Sequence, residues 1–339
     1  MPEIPLSTAS LAAFHAIPST SSNITEPTRT AFARTQLPQT KHRLDIIDAW
    51  GGKAVFEGKC VLELGCGQGD ASVALAAAVS SHGKDGRVVA WDPADGNYGS
   101  PLTLAQAQQN ILSNRTISSL LSFSLTTPLA SVLRPSEDEY EIAALIHSIY
   151  YFPSPSILLQ TLKDLHAHYP PINHLFLAEH GLHASQVDQQ AHLLAVLAQA
   201  GLESLRQQGE STTANIRTVL APDAIAAVAL EAGWRLVKER MITPDLELQD
   251  GRWEVGTVVS TAWMDEVDQV LSSPASAENG VAKGREREKA WIRATRDSTK
   301  AAVEGVAAAK KGEDGEAWTG KPLSLVRNMD VWCAVFVRQ

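Results

Sequence analysis

The chain has 339 residues, 44% hydrophobic and 20% charged, enough to bury a large core as one domain or two and too apolar for a disordered chain. Lys and Arg total 29 against 38 for Asp and Glu, a net charge of -9, and an acidic surface repels phosphate backbones, so no nucleic-acid partner is expected. Cys60, Cys66 and Cys333 are too scattered for a disulfide framework, no apolar run reaches the ~18 residues of a membrane span, and no basic-then-apolar leader opens the chain, which together predict a reduced, cytoplasmic protein without a membrane partner.

Residues 1–38, rich at first in Ser, Ala and Pro, are expected to form an N-terminal helical arm. From Gln39 the apolar spacing of Leu44, Ile46, Ile47 and Trp50 predicts a helix stopped by Gly51-Gly52. Cys60–Leu64 is a short apolar run of the kind buried in a parallel sheet, followed by a glycine-rich turn and an Ala-rich helix over 70–80. Further strands are expected at 87–92, 120–125, 141–147 and 174–180, separated by helices over 102–113 and 155–167. Such alternation indicates βαβ units and a doubly wound, mostly parallel α/β sheet. Beyond it come a long helix over 185–208, a helix over 222–232, a strand over 234–242 and charged helical material over 283–311. The apolar terminal run 331–337 must be covered, so it should return to the same sheet as its seventh strand. One domain, 39–339, is therefore expected, carrying helical insertions at about 183–220 and 245–328.

The chemistry concentrates in Glu63-Leu64-Gly65-Cys66-Gly67-Gln68-Gly69-Asp70. A strand, a Gly-x-Gly-x-Gly turn and a helix bring backbone N–H groups to the strand's carboxyl edge, and the glycines allow positive φ and close approach of a ligand. A dinucleotide enzyme uses the same device but wants its third glycine where Asp70 stands. An acid at that helix entry would repel a pyrophosphate, whereas a cationic, phosphate-free cofactor tolerates it. Asp92 ends the second strand, where a carboxylate can accept hydrogen bonds from ribose hydroxyls; a plain strand-end cap is the alternative.

The run Glu63 to Gly69 resembles motif I of the class I methyltransferases, and the resemblance extends over roughly residues 40–242 and the terminal strand. With Asp92-Pro93, Tyr98-Gly99-Ser100-Pro101 and 248–255, it is similar to a fungal branch of these enzymes acting on small metabolites. It implies S-adenosyl-L-methionine as cofactor, held by Glu63, Gly65, Cys66, Gly67, Gln68, Gly69, Asp92, Pro93 and His147. The acid or amide that often holds adenine after the third strand is replaced by Ser124-Leu125-Thr126-Thr127, which leaves Thr126 and backbone groups for that task.

Ligands of an open α/β sheet lie beyond the carboxyl ends of its strands. His147, Tyr150 and Tyr151 stand there after the fourth strand, and Glu179 and His180 after the fifth. His147 and Tyr151 are the candidate catalytic residues, since an imidazole titrates near neutrality and can act as a base; the alternatives are a strand cap or a pocket wall. Tyr150, Glu179, His180 and Trp253 are candidate substrate contacts, Trp253 with Glu254 as part of a lid in a polar turn. The remaining histidines lack metal-ligand spacing, so no metal is expected. Methyl transfer to oxygen or nitrogen of a small molecule is the leading reading. The competing ones are cyclisation in a reused pocket, a nicotinamide-dependent oxidoreductase, and a binding module that holds the cofactor for structure only. The oligomeric state stays open, a homodimer included.

Overall fold

The protein is described here from a computed structural model covering residues 3–19, 21, 24–132, 140–206, 212, 214–272, 285–310 and 320–339. Seven strands, β1 (Cys60–Leu64), β2 (Arg87–Asp92), β3 (Leu121–Leu125), β4 (Ile142–Ile146), β5 (His174–His180), β6 (Trp234–Ile242) and β7 (Val331–Arg338), form one sheet. Their order is β3-β2-β1-β4-β5-β7-β6. β7 pairs antiparallel with both β5 and β6, while the other neighbours pair parallel. The terminal apolar run thus returns to the sheet as expected, and the mostly parallel, doubly wound fold is observed.

Helices α1 (Thr8–Ala12), α2 (Glu26–Trp50) and α3 (Lys53–Phe56) precede the sheet. Helices α4 (Asp70–Val79), α5 (Leu104–Leu112), α6 (Arg115–Ser118), α7 (Leu129–Val132) and α8 (Pro155–His168) join the first five strands. Between β5 and β6 lie α9 (Gln190–Ser204) and α10 (Pro222–Glu231), and between β6 and β7 lie α11 (Asp250–Val259), α12 (Thr261–Ser272) and α13 (Arg285–Ala309). Residues 207, 208, 283, 284 and 311, expected in helices, fall outside the described residues.

The central strands are buried on both faces because both are covered by helices, and the period of two divides their side chains between two cores. Val61, Ile142, Ala144, Phe176 and Ala178 meet α2, α3 and α4 on one face, where Trp50, Phe56 and Phe176 form an aromatic cluster. Leu62, Leu64, Leu145, Leu175 and Leu177 meet α8 and α10 on the other. A third cluster, with Ala195, Leu202, Val255, Val258, Trp263, Val267 and Ile292, joins α9 to α11, α12 and α13. Asp330, at the entry to β7, pins this layer to the sheet. It accepts hydrogen bonds from Gln189 Nε2 (2.7 Å), Thr243 Oγ1 (2.8 Å) and His183 Nδ1 (2.7 Å). Strand β6 closes one side of the sheet, largely exposed, with a register irregularity between Leu236 and Lys238.

The N-terminal helical arm is observed, with two refinements. α2 starts at Glu26, thirteen residues before the expected Gln39, with Thr25 accepting from Thr28 N as its cap and Pro38 inside it. The residues ahead of it pack as well: Ile4 and Leu11 are buried in the first core, and Ile4 N donates to Ser80 Oγ. The low apolar content of 1–38 hides these two anchors. Truncating Leu11 to Ala should destabilise the protein by ~2–4 kcal/mol through lost burial and a residual cavity, read from the denaturant midpoint. A change within ~0.5 kcal/mol would mean that this segment is not part of the core.

Candidate active site

The chain leaves the sheet's carboxyl edge through left-handed backbone. After β1, Gly65, Gly67 and Gly69 have φ of 81°, 53° and 96°. A Cβ on Gly65 would strike Ser148, one on Gly69 would strike Ile111 and Phe123, and one on Gly67 would meet nothing within 4 Å. Gly65 and Gly69 are therefore glycines for packing, and Gly67 borders open space. Gly67 N donates to Asp92 Oδ2 (2.9 Å), and Asp92 Oδ1 accepts from Ala94 N (2.9 Å) across Pro93. Gln68 Nε2 donates to Leu102 O (2.7 Å), and Gln108 Nε2 donates to Gly67 O (2.8 Å). Cys66 is buried in the first core. Glu63 faces inward, where Ser72 Oγ donates to it (2.6 Å), and burial raises its pKa to about 7. After β3, Thr126 has φ 57°, a strained conformation for a β-branched residue, and donates to Leu125 O.

At the ends of β4 and β5 the polar groups converge. His147, with φ 51°, has Nε2 2.8 Å from His42 Nε2 and Nδ1 3.4 Å from Glu179 Oε1. Glu179 Oε2 accepts from Ile149 N (3.0 Å) and Tyr150 N (3.3 Å), and its Oε1 from His180 N (2.9 Å). The His180 ring lies 4.7 Å from that of His147 and 4.8 Å from that of His192. Tyr150 is a core residue whose hydroxyl donates to His180 O (2.9 Å). Tyr151 is 48% exposed beside it. The structure thus brings His147, Glu179 and His180 together, with ligand-type atoms within 4.8 Å of one another, a cluster that motif spacing along the chain does not show.

Two elements roof this edge. α2 carries a stripe at helical spacing, Gln36, Gln39, Thr40, Arg43, Ile46, Ile47 and Trp50, all buried. Its lower half is apolar and enters the core; its upper half is polar and faces the site. Atoms of Gln36, Gln39, His42 and Arg43 are buried with no hydrogen-bond partner among the described residues. α11 meets α2 through Gln39 Nε2, which donates to Asp250 Oδ1 (2.7 Å). Trp253 and Glu254 lie on this helix, not in the polar turn expected of them; Trp253 is 53% exposed and Glu254 accepts from Gln199 Nε2 (2.6 Å).

Burial keeps this histidine file uncharged. It lowers His147 to about 3, aided by the Arg43 guanidinium, and His180 to about 4, aided by the His147 imidazole, and it holds His42 and His192 well below the usual range. His147 therefore does not titrate near neutrality. Unfolded histidines near 6.5 bind protons that the folded state refuses, so stability falls as pH drops below 6.5, by up to about 1.4 kcal/mol per pH unit for each group. Glu63 acts in the opposite sense between 4.5 and 7, and Glu179 and Glu254, which burial also raises, act with it above 4.5; burial lowers His15 and His174 too, so the histidines outnumber them. The denaturant midpoint should fall steadily from about pH 6.5 to about pH 5, and His192→Asn should flatten that slope. A midpoint that is level or rising in this window would refute the buried neutral file.

Residues 34–239 match a family model described as a methyltransferase domain. Methyltransferases phomM and phomM' of Diaporthe leptostromiformis are each 28% identical over 279 residues, 68% of this chain and 72% of theirs. The crystal structure of a cyclopropane-fatty-acyl-phospholipid synthase-like protein from Lactobacillus casei ATCC 334 has 26% identity and a TM-score of 0.68, covering 97% of this chain and 98% of that one. No helix among the described residues is long and apolar enough to cross a membrane. The family match spans more than half of the chain and lies on a seven-stranded sheet of the matching kind: this protein belongs to the S-adenosylmethionine-dependent methyltransferases of the Rossmann-like class I fold.

Proposed function

We propose that the protein methylates a small-molecule acceptor at oxygen or nitrogen, with the cofactor along the Gly65–Gly69 loop and the acceptor against the His147–Glu179–His180 edge. The observation that carries this is the roof. His42 on α2 touches His147, and Gln39 ties α2 to α11, so the edge is enclosed by helices rather than open to a macromolecule's surface. The net charge of -9 favours the same class of acceptor over nucleic acid.

The residues fit the cofactor. Gly67 leaves space at the loop, Asp92 and Pro93 stand beside it for the ribose, and Thr126 with the backbone of its turn borders the adenine side. Arg43 is missing from the sequence reading. Its guanidinium is buried, and Nε and one terminal nitrogen have no partner among the described residues. A buried cation without a partner is costly, and a carboxylate would satisfy it. The cofactor's methionine moiety offers one. Glu63 and Cys66 act from beneath, as supports of the loop.

When bound, S-adenosylmethionine supplies a methyl group made electrophilic by its sulfonium. In-line displacement then asks the protein mainly for alignment and exclusion of water. α2 and α11 exclude water, His147 and Tyr151 flank the reacting atom, and Trp253 stands at the margin of the roof. The trio at the edge contacts the acceptor's reacting heteroatom, and its imidazoles, held well below neutrality, do not serve as the base.

Two measurements test this. Arg43→Gln should weaken S-adenosylhomocysteine about tenfold or more, ~1.5–3 kcal/mol, and leave 5′-methylthioadenosine, which lacks the amino-acid moiety, unchanged; equal losses for both ligands would overturn the carboxylate assignment. Incubated with methyl-labelled S-adenosylmethionine and host extract, the protein should place label in the ultrafiltrate. Label confined to protein or nucleic acid would overturn the small-molecule reading.

A further inference from the structure

We propose that His147, Glu179 and His180 form a binding site for one divalent first-row transition ion of the zinc type. The proposal rests on the reading of this edge as the acceptor site and gives the trio its role there. Two imidazoles and a carboxylate are a donor set that suits such ions. Their ligand-type atoms lie within 4.8 Å of one another. Ligands bound tetrahedrally at ~2.1 Å lie ~3.4 Å apart, so side-chain torsions must draw the widest pair together by up to about 1.4 Å.

The surroundings are those of a supported site. Metal-bound imidazoles and carboxylates are ordinarily oriented by hydrogen bonds on their far sides. Glu179 Oε2 is fixed by two backbone N–H groups, and Oε1, which accepts from His180 N, keeps its second lone pair toward His147 Nδ1. With an ion on Nδ1, His147 carries its proton on Nε2, and His42 Nε2 stands 2.8 Å away to accept it. His180 Nδ1 is buried without a hydrogen-bond partner among the described residues. Glu179 is 1% exposed, and its ion-pair partner among the described residues is a histidine rather than a Lys or Arg. A buried carboxylate in that position lacks a cation.

Three protein ligands leave a coordination position for the acceptor. An acceptor hydroxyl bound there loses its proton to water more readily, because the ion stabilises the oxyanion. The oxygen lone pair then forms the new C–O bond while the C–S bond of the donor breaks and its electron pair stays on sulfur.

The test is a titration of the chelator-dialysed full chain with Co²⁺, followed by its visible absorption, with Zn²⁺ as competitor. One equivalent should bind, and Zn²⁺ should displace it. Paramagnetically shifted imidazole resonances should count two histidine ligands in the wild-type protein, with no substitution needed. Glu179→Gln and His180→Asn should each weaken the ion by at least about tenfold, and His168→Asn, on an exposed part of α8, should not. Failure of the wild type to take up one equivalent overturns the proposal, as does unchanged affinity in both variants. S-adenosylhomocysteine binding, measured on the same samples, reports separately on the methyltransferase reading.

Discussion

The arrangement depends on backbone that leaves the sheet in the left-handed region. Gly65 follows β1, Thr126 follows β3, His147 follows β4 and Leu182 stands two residues beyond β5, all at positive φ. Three of these carry side chains, and each such residue costs of order 1 kcal/mol that the surroundings must offset. The offset comes from below, where the edge stands on strands buried on both faces. It also comes from side-chain anchors: Ser148 Oγ donates to Leu64 O, and Glu179 accepts three backbone N–H groups. A left-handed residue bends the chain sharply and aims its own side chain across the strand ends. That is how His147 reaches both α2 and β5.

The elements legible in the sequence were those whose signal is local. Cys60–Leu64, Arg87–Asp92, His174–His180 and Trp234–Ile242 are found at the expected bounds, because an apolar run between turn residues carries its own evidence. The glycine loop was legible for the same reason, and its three glycines turn out to serve different physical ends. The roof was not. Residues 26–38 contain too few apolar side chains to show a helix by periodicity, and α2 buries glutamine, threonine, histidine and arginine instead. Burial of polar groups is a tertiary property, which hydrophobic patterning cannot report. Trp253 was misplaced by its polar neighbours, although Asp250 at the first turn of α11 is an ordinary helix-start residue.

The cluster at the edge failed to appear for a third reason. His42, His147, Glu179, His180 and His192 come from four elements distant in sequence, and their spacing matches no motif. Only the order β1-β4-β5 and the path of α2 bring them together. The same topology explains their ionisation, since a histidine placed between a sheet edge and two covering helices loses its hydration before it gains a charged partner.

The exposed outer strand of the sheet has a consequence for assembly. β6 presents Arg235, Lys238, Glu239 and Arg240 to solvent and breaks register after Leu236. A second copy seeking to continue the sheet would have to dock its own interrupted β6 against an equally interrupted one, with charged side chains along both edges. Growth by strand addition is disfavoured on that side.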